Sequence, residues 1–323
     1  MRKKTNFCEY VEKWINTYKS AEVRPVTLRK WYLALDWMKK AAGDMILEKM
    51  TRSDVQQIVN FYGRFHSYLT TKDFTRFLFA PLRDAYHDQL IDMDITYRVR
   101  ATSQVKDKQK NKWLEAEDAS KLCKALEDDH SFMADLCILM LKTGLRYAEA
   151  LGLTPADIDT SDRTITVNKT YNYKLIPEEK EFMPTKNWSS MRTISVDILT
   201  LRMLQEDAKD VPEGKSIYIT KYAAEPPAKN GRPRSNKTLY NATVNGYLKA
   251  ICKRLGIPAI TVHGLRHTHA SLLIANGASI QYVAERLGHA NTETTQRVYI
   301  HLLEKRRKQD EQKMSTAMME LGA

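Results

Sequence analysis

Apolar residues recur every three or four positions through most of this 323-residue chain, and this spacing predicts a mainly α-helical fold. The first hundred residues contain four such stretches, at about 7–18, 27–43, 52–62 and 68–90. Pro81 lies inside the fourth and predicts a kink or a break there. The inward face of that stretch is predicted to consist of Phe74, Phe77, Leu78, Leu82 and Tyr86. Four helices with short connections favour a small helical bundle.

A second domain is predicted to begin near Trp113. Its helical patterns surround three short alternating segments, at 164–167, 180–183 and 192–196, which are typical of antiparallel strands. The expected fold class is therefore mainly α, with a small antiparallel β-sheet in an α+β second domain that follows an N-terminal helical bundle. The expected bounds are 1–97 for the bundle, 98–112 for a linker, 113–303 for the second domain and 304–323 for an amphipathic tail.

The chain is basic, with a formal net charge of +12, and such an excess favours a polyanionic partner, nucleic acid first. Residues 1–112 hold 22 lysines and arginines against 13 acidic residues. The linker 98–112 is basic and aperiodic and could follow DNA phosphates, although a solvated helix is the alternative. A second basic segment, 222–237, contains three prolines and predicts a loop. The predicted DNA-binding residues are Lys106, Lys108, Lys110, Lys112, Arg232 and Arg234.

Other classes of protein are disfavoured by what the sequence lacks. The four cysteines include no Cys-x-x-Cys pair, so neither a zinc site nor a disulfide framework is predicted. No apolar run approaches the length of a membrane span, and the N-terminus lacks the apolar core of a signal peptide. We therefore expect a cytoplasmic protein with no membrane partner.

A set of cationic side chains recurs in short motifs of the second half. The motifs are Arg146 in TGLRYAE, Lys186 in PTKN, His263 and Arg266 in HGLRH, and His289 in LGH. A guanidinium offers phosphate a planar, permanently charged fork, and an imidazole titrates near neutrality. Together these groups could hold one phosphodiester and neutralise charge that develops on it. Tyr299 follows His289 by ten residues and could be the nucleophile.

Neighbouring residues refine this hypothesis. Glu149 shares a helix face with Arg146 and could orient its guanidinium or a neighbouring histidine, although an ordinary surface pair is the alternative. His263 and His267 have the i, i+4 spacing of zinc ligands, but no intervening glutamate or third ligand accompanies them, so no metal is expected. His267 and His269 are predicted to support packing or hydrogen bonding instead.

In this order and spacing, the motifs resemble those of the tyrosine recombinases, and the chain is similar to phage- and mobile-element-type integrases. TGLRYAEALGL matches the family's first arginine box, PTKNWSSMRTI resembles its hairpin lysine segment, and LGHANTETTQRVY matches its closing box. The resemblance implies that the catalytic residues are Arg146, Lys186, His263, Arg266, His289 and Tyr299, with Glu149 and His301 in support.

The resemblance also implies the reaction, a site-specific recombination that requires neither cofactor, metal nor ATP. Tyr299 would form a 3′-phosphotyrosyl link, Lys186 would protonate the leaving 5′ oxygen and His263 would take the tyrosine proton. A homotetramer would pair two double-stranded DNA sites, pass through a Holliday junction and use the 304–323 tail for contacts between protomers. An accessory directionality factor would be a further partner.

Two alternatives share some of these features. A type IB topoisomerase-like enzyme would use the same chemistry without pairing sites, and a DNA-binding protein with a degenerate catalytic site would need only the basic surfaces. Integrase, resolvase and invertase roles all remain open. Because the helical pattern begins near Phe7, we expect no separate arm-binding domain ahead of the bundle.

Overall fold

The structure, a computed structural model, describes residues 4–106, 111–174, 181–185, 187–225 and 239–293, and single positions 295, 296, 299, 311, 314 and 319. The chain divides into two compact units, Met1–Gln109 and Lys110–Ala323. This division falls inside the segment 98–112 that was predicted to be a linker. Of the helices within the described residues, none is both long and apolar enough to cross a membrane.

Residues 4–106 of the first unit contain four α-helices, as the periodicity predicts. They are α1 (Phe7–Tyr18), α2 (Pro25–Ala42), α3 (Arg52–Gly63) and α4 (Tyr68–His87), with a 3₁₀ turn at Leu47–Lys49. Asn6 caps α1 by accepting two backbone N–H bonds, and Thr51 caps α3 in a reciprocal pair with Asp54. The apolar faces of the four helices bury one shared core.

Helix α4 is continuous through Pro81, so of the predicted kink or break there is no break. The proline is buried, and its carbonyl accepts a hydrogen bond from the Tyr10 hydroxyl at 3.1 Å. The prediction that Tyr86 faces inward is wrong, since that side chain is 40% exposed. The adjacent Ala85 takes the inward position after Leu82, and one further residue turns the side chain about 100° away from the core.

The first part of the predicted linker lies along α3. The side chain of Gln56 exchanges two hydrogen bonds, of 2.9 and 3.0 Å, with the backbone of Arg100. The N–H of Gln104 donates to the carbonyl of Gly63 at 2.9 Å. Residues around 100–104 are therefore anchored to the first unit by backbone contacts that an aperiodic sequence does not reveal.

The second unit is mainly helical, with short antiparallel strands, so the predicted fold class is confirmed. Its elements are α5 (Ala116–Glu127), α6 (Phe132–Thr143), α7 (Tyr147–Ala150), β1 (Ile158–Asp159), β2 (Thr164–Val167), β3 (Lys169–Tyr171), β4 (Phe182–Pro184), β5 (Arg192–Ser195), α8 (Ile198–Ala208), α9 (Ile217–Ala224), α10 (Asn241–Arg254), α11 (Val262–Ala275) and α12 (Ile280–Leu287). Helix α9 covers the start of the basic segment 222–237 that was predicted to be a loop; residues 226–238 lie outside the described residues.

The strands within the described residues form two sheets where the sequence predicts one. Strands β1, β2 and β5 form a three-stranded antiparallel sheet in that order, and β3 pairs with β4 in a separate two-stranded sheet. Strands β1 and β3 are two and three residues long, too short to show an alternating pattern. The three-stranded sheet leads into α8 and brings the start of β5 close to the end of α12.

Two helix ends meet at the centre of the second unit. Helix α6 ends at Gly144 and α12 ends at Gly288, both in the left-handed conformation that glycine adopts without strain. A Cβ on Gly144 would lie 2.7 Å from side-chain atoms of both His269 and Leu287. The two glycines therefore permit the close approach of α6, α11 and α12, and the carbonyl groups at these helix ends face the side chains described next.

Candidate active site

Two predicted catalytic arginines converge on the ends of α6 and α12. Arg266 is 3% exposed and donates from Nη1 to the carbonyl of Gly144 and from Nη2 to that of Leu287, both at 2.7 Å. Arg146 donates from Nη2 to the carbonyl of Gly288 at 3.0 Å. Carbonyl groups at a helix C-terminus lack intrahelical donors and carry partial negative charge, so they attract cations. The two guanidinium groups thus bind consecutive carbonyls of the chain.

A buried carboxylate lies between Arg146 and a third arginine. Glu149 is 2% exposed and accepts from Arg146 Nη1 at 2.6 Å, from the Arg146 backbone N–H at 3.0 Å and from Arg192 Nη2 at 2.9 Å. Burial opposes ionisation, but the charges of Arg192 and Arg146 outweigh it and hold the pKa of Glu149 below its usual value. Glu149 therefore holds the guanidinium of Arg146 in place.

Sequence reasoning missed Arg192. Its side chain is 8% exposed, and it donates from Nε to the carbonyl of Arg286 at 2.7 Å, from Nη1 to that of Ser190 at 2.9 Å and from Nη2 to Glu149. The alternation of side chains along β5 could have shown that Arg192 faces inward. Ile194 faces the core, and Arg192, two residues earlier on β5, shares that face.

The cluster is cationic, and the hydrogen bonds seen among the described residues do not use all the donors of Arg266. Arg146, Arg192 and Arg266 bring three guanidinium groups against the one carboxylate of Glu149. Arg266 uses two of its five N–H donors for the carbonyl bonds described above. Burial, and then the charge of Arg146, lowers the pKa of Arg266 to about 9, so the group stays protonated at neutral pH. Such an arrangement can bind an oxyanion bidentately.

Two predicted catalytic histidines lie within the field of these arginines. His289 is half-buried, and its Nδ1 is 2.7 Å from Thr295 Oγ1. Burial, followed by the charges of Arg266 and Arg146, lowers its pKa to about 4. Partial burial, followed by the charges of Arg266 and Arg146, also lowers the pKa of His263 at the start of α11. His289 directly follows the carbonyls that Arg266 and Arg146 bind, and His263 lies one helical turn before Arg266. A bound anion at these arginines would raise both pKa values.

Tyr299 is buried, with its hydroxyl beside the cationic cluster. The side chain is 1% exposed, and the hydroxyl is 2.8 Å from Nδ1 of His267. Burial raises its pKa above the usual value, and the charge of Arg266 opposes that rise. His263, the predicted proton acceptor, instead contacts the ring of His267, with centroids 4.7 Å apart. The apolar side chains around Tyr299 are Ala270, Ile274, Val283 and Leu287.

His269 lies on α11 behind the arginines and is a structural group. Its Nδ1 is 2.9 Å from the carbonyl of Leu141, so this nitrogen donates and Nε2 accepts from Nε of Arg286 at 3.0 Å. Arg286 also donates to the carbonyl of Ser195 at 3.1 Å. Burial, followed by the charge of Arg286, lowers the pKa of His269 to about 3. This neutral imidazole ties α6, α11 and α12 together.

The burial of His269 predicts a loss of stability in acid. The folded protein keeps this histidine neutral, whereas the unfolded chain takes up a proton near pH 6.5, so stability falls as pH drops from 6.5 towards 3. At pH 4.5 the loss from this group amounts to about 2–3 kcal/mol. Urea unfolding at a series of pH values measures it. His269→Gln should show a shallower decline, and an unchanged pH dependence would contradict a buried neutral histidine.

Of the predicted DNA-binding residues, Lys112 lies next to this site. Its carbonyl is 3.1 Å from the position that a Cβ on Gly264 would occupy, and its charge contributes to lowering the pKa of His267. Lys106 is exposed in the first unit. The catalytic prediction Lys186, the supporting prediction His301, and the DNA-binding predictions Lys108, Lys110, Arg232 and Arg234 lie outside the described residues.

Comparisons with known proteins agree on one family. The phage integrase family model matches residues 112–306. A tyrosine recombinase XerC-like protein of Caldanaerobacter subterraneus is 30% identical over 207 residues, which cover 59% of this chain and 50% of the relative. The ICEBs1 integrase of Bacillus subtilis is 27% identical over 213 residues, which cover 62% of this chain and 54% of the relative. The chain thus spans about half the length of these curated relatives.

Solved structures share the fold. The Tn1549 transposon integrase, in complex with a circular intermediate DNA, matches with a TM-score of 0.71 at 19% identity, over 91% of this chain and 94% of that one. A lambda integrase tetramer bound to a Holliday junction matches with a TM-score of 0.66 at 18% identity, over 90% of this chain and 76% of that one. At these identities the similarity concerns the fold.

Proposed function

The chain belongs to the phage integrase family, and we propose that it is a site-specific DNA recombinase that cleaves and rejoins DNA through a 3′-phosphotyrosyl intermediate. The observation that supports this most is the convergence of Arg146 and Arg266 on consecutive carbonyls just before His289. The hydroxyl of Tyr299 lies against the residue that follows Arg266. We place the reaction in a bacterial cytoplasm, where it would integrate or excise a phage or another mobile element.

The scissile phosphate would bind between the two arginines and His289. The carbonyl bonds of Arg266 and the carboxylate bonds of Arg146 fix both guanidinium groups before the ligand arrives, so little reorganisation is needed. The excess positive charge of the cluster favours the phosphate, and it favours the more highly charged transition state further. Each preorganised donor of this kind contributes roughly 3–4 kcal/mol to lowering the barrier.

In the first step, Tyr299 Oη would form a bond to phosphorus as the bond between phosphorus and the 5′ oxygen breaks. The phosphate would remain on the 3′ side as a phosphotyrosine ester, and Lys186 would donate a proton to the departing 5′ oxygen. The phenolic proton would leave towards the two imidazoles of α11, where His263 is the predicted acceptor and His267 contacts the hydroxyl. The ester conserves the bond energy, so rejoining by the reverse attack needs no ATP.

The wider reaction is proposed from the family. Four protomers would hold two double-stranded recombination sites and exchange one pair of strands at a time through a Holliday junction. Residues 304–323 would contact a neighbouring protomer, and an accessory factor would set direction. Lys106, Lys108, Lys110, Lys112, Arg232 and Arg234 are proposed to contact the DNA backbone.

A suicide substrate tests the proposed reaction. Nicked duplexes that tile the DNA flanking the encoding gene would lose a short 5′-hydroxyl fragment after cleavage, so the covalent complex cannot reverse. We expect a protein–DNA adduct on a denaturing gel that forms without ATP and in the presence of EDTA, because the arginines supply the charge that a metal would otherwise provide.

The alternatives give different results in the same system. If no duplex yields an adduct although several are bound, the chain is a DNA-binding protein with a degenerate catalytic site. If plasmid that lacks recombination sites is relaxed rapidly by a monomer, the activity is that of a type IB topoisomerase. Duplexes of unrelated sequence serve as the control and should give no adduct.

A further inference from the structure

The hydroxyl of Tyr299 contacts His267, whereas the predicted proton acceptor is His263. We propose that His267 is a positioning residue for the nucleophile: its Nδ1 accepts the phenolic O–H and holds the oxygen of Tyr299 at the edge of the arginine cluster. The contact is 2.8 Å, and the tyrosine side chain is 1% exposed. This inference rests on the proposed function, in which Tyr299 is the nucleophile.

The protonation state of His267 suits an acceptor. The pKa of His267 falls to about 4 because of burial and then the charges of His263 and Arg266, so the ring is neutral at physiological pH. A neutral imidazole with its hydrogen on Nε2 accepts at Nδ1, whereas an imidazolium cannot accept at all. A phenol that donates its O–H to Nδ1 keeps its oxygen lone pairs available for attack on phosphorus.

Packing alone does not orient this hydroxyl. Apolar side chains of α11 and α12 pack around the tyrosine ring and confine it, but such groups offer its oxygen no hydrogen bond. Among the described residues, His267 is the side chain within hydrogen-bonding distance of the hydroxyl. Tyr299 and Arg266 influence each other electrostatically, and His267 contributes to lowering the pKa of His289. The bond to His267 therefore keeps the phenolic oxygen next to the groups that would hold the phosphate.

Two substitutions separate positioning from other roles. His267→Asn keeps a hydrogen-bonding atom near the place of Nδ1 but cannot take up a proton, and His267→Phe keeps a ring without a hydrogen bond. We expect His267→Phe to slow adduct formation about tenfold and His267→Asn to stay within about threefold of the parent, since one neutral hydrogen bond is involved. His130→Asn, at an exposed position remote in sequence, is the control and should not change the rate.

The outcomes are distinct. If His267→Asn is as slow as His267→Phe, the imidazole acts as a proton acceptor or in folding, and positioning is overturned. If His267→Phe reacts as fast as the parent, the hydrogen bond is irrelevant to attack. If it reacts faster, the bond restrains the tyrosine, which also overturns the proposal.

Unfolding without DNA tests the bond independently of the reaction. We would measure the melting temperature of His267→Phe, Tyr299→Phe and the double variant. A hydrogen bond between the two side chains predicts that the double variant loses less than the sum of the two single losses, whereas additive losses would overturn the contact. Coupling without any adduct would mean that the bond exists and the proposed recombination is wrong.

Discussion

Tyr299→Phe is expected to abolish the covalent protein–DNA adduct while DNA binding and the fold persist. The substitution removes one oxygen and leaves the ring in its apolar surroundings. Loss of the hydrogen bond to His267 should lower the free energy of unfolding by only about 1 kcal/mol. Removal of a catalytic nucleophile typically costs about 10⁶-fold in rate, which would place the adduct below detection. Denaturing gels measure the adduct, and mobility shifts on the same duplex measure binding.

A second tyrosine provides the matched control, which is needed because the chain contains 16 tyrosines. Tyr282 lies on α12, is 45% exposed and has its hydroxyl 3.5 Å from Nη1 of Arg286. Tyr282→Phe removes the same atom from the neighbouring helix and should leave the adduct unchanged. An adduct that survives Tyr299→Phe would assign the nucleophile to another tyrosine and remove the basis for the proposed step.

The sequence predicts best those helices and strands in which the buried residues recur at one regular spacing. Helix α12 has its buried residues, Val283, Ala284 and Leu287, at helical spacing on one face. Strand β2 alternates between fully buried and partly buried residues, and it matches its predicted range of 164–167. The short strands β1 and β3 were missed because two or three residues cannot display a period. The orientation of Tyr86 was predicted wrongly because it directly follows the buried Ala85, and an aromatic residue one position from the buried face still fits the helical pattern.

The candidate site was predictable as a set of side chains, but its internal contacts were not. Arg266 is held by the carbonyls of Gly144 and Leu287, and backbone acceptors leave no trace in residue identity. The partner of Tyr299 could not be chosen from sequence either. His263 and His267 are one helical turn apart, and only the packing of α11 decides which ring meets the hydroxyl.

The same limit explains why Arg192 was overlooked. A basic residue at the start of a strand usually marks a solvated end, and here it is buried because Glu149 and two carbonyls compensate its charge. The acid was predicted to orient Arg146 or a neighbouring histidine. It is instead shared by two arginines from different parts of the chain, so its replacement would leave both guanidinium groups without a counter-charge.

Glu149→Gln is therefore expected to lower the free energy of unfolding by about 3–5 kcal/mol, the usual cost of leaving a buried charge without its partner. The amide would turn an N–H towards one guanidinium, and the charges of Arg146 and Arg192 would then repel each other without compensation. Urea denaturation measures the loss. Glu127→Gln is the control, because Glu127 pairs with Lys142 at 3.1 Å but is 48% exposed and should cost at most about 1 kcal/mol.

The effect of an added anion on the stability of Glu149→Gln tests whether the arginine cluster binds phosphate. If the cluster binds the phosphate of DNA, an added anion should replace part of the missing negative charge. Inorganic phosphate should then raise the melting temperature of Glu149→Gln more than that of the parent or of Glu127→Gln, because loss of the Glu149 carboxylate adds to the uncompensated positive charge of the cluster. An equal rise in all three proteins would mean that phosphate acts elsewhere on the basic surface. A loss for Glu149→Gln no larger than that of the control would show that the carboxylate does not hold the two arginines together.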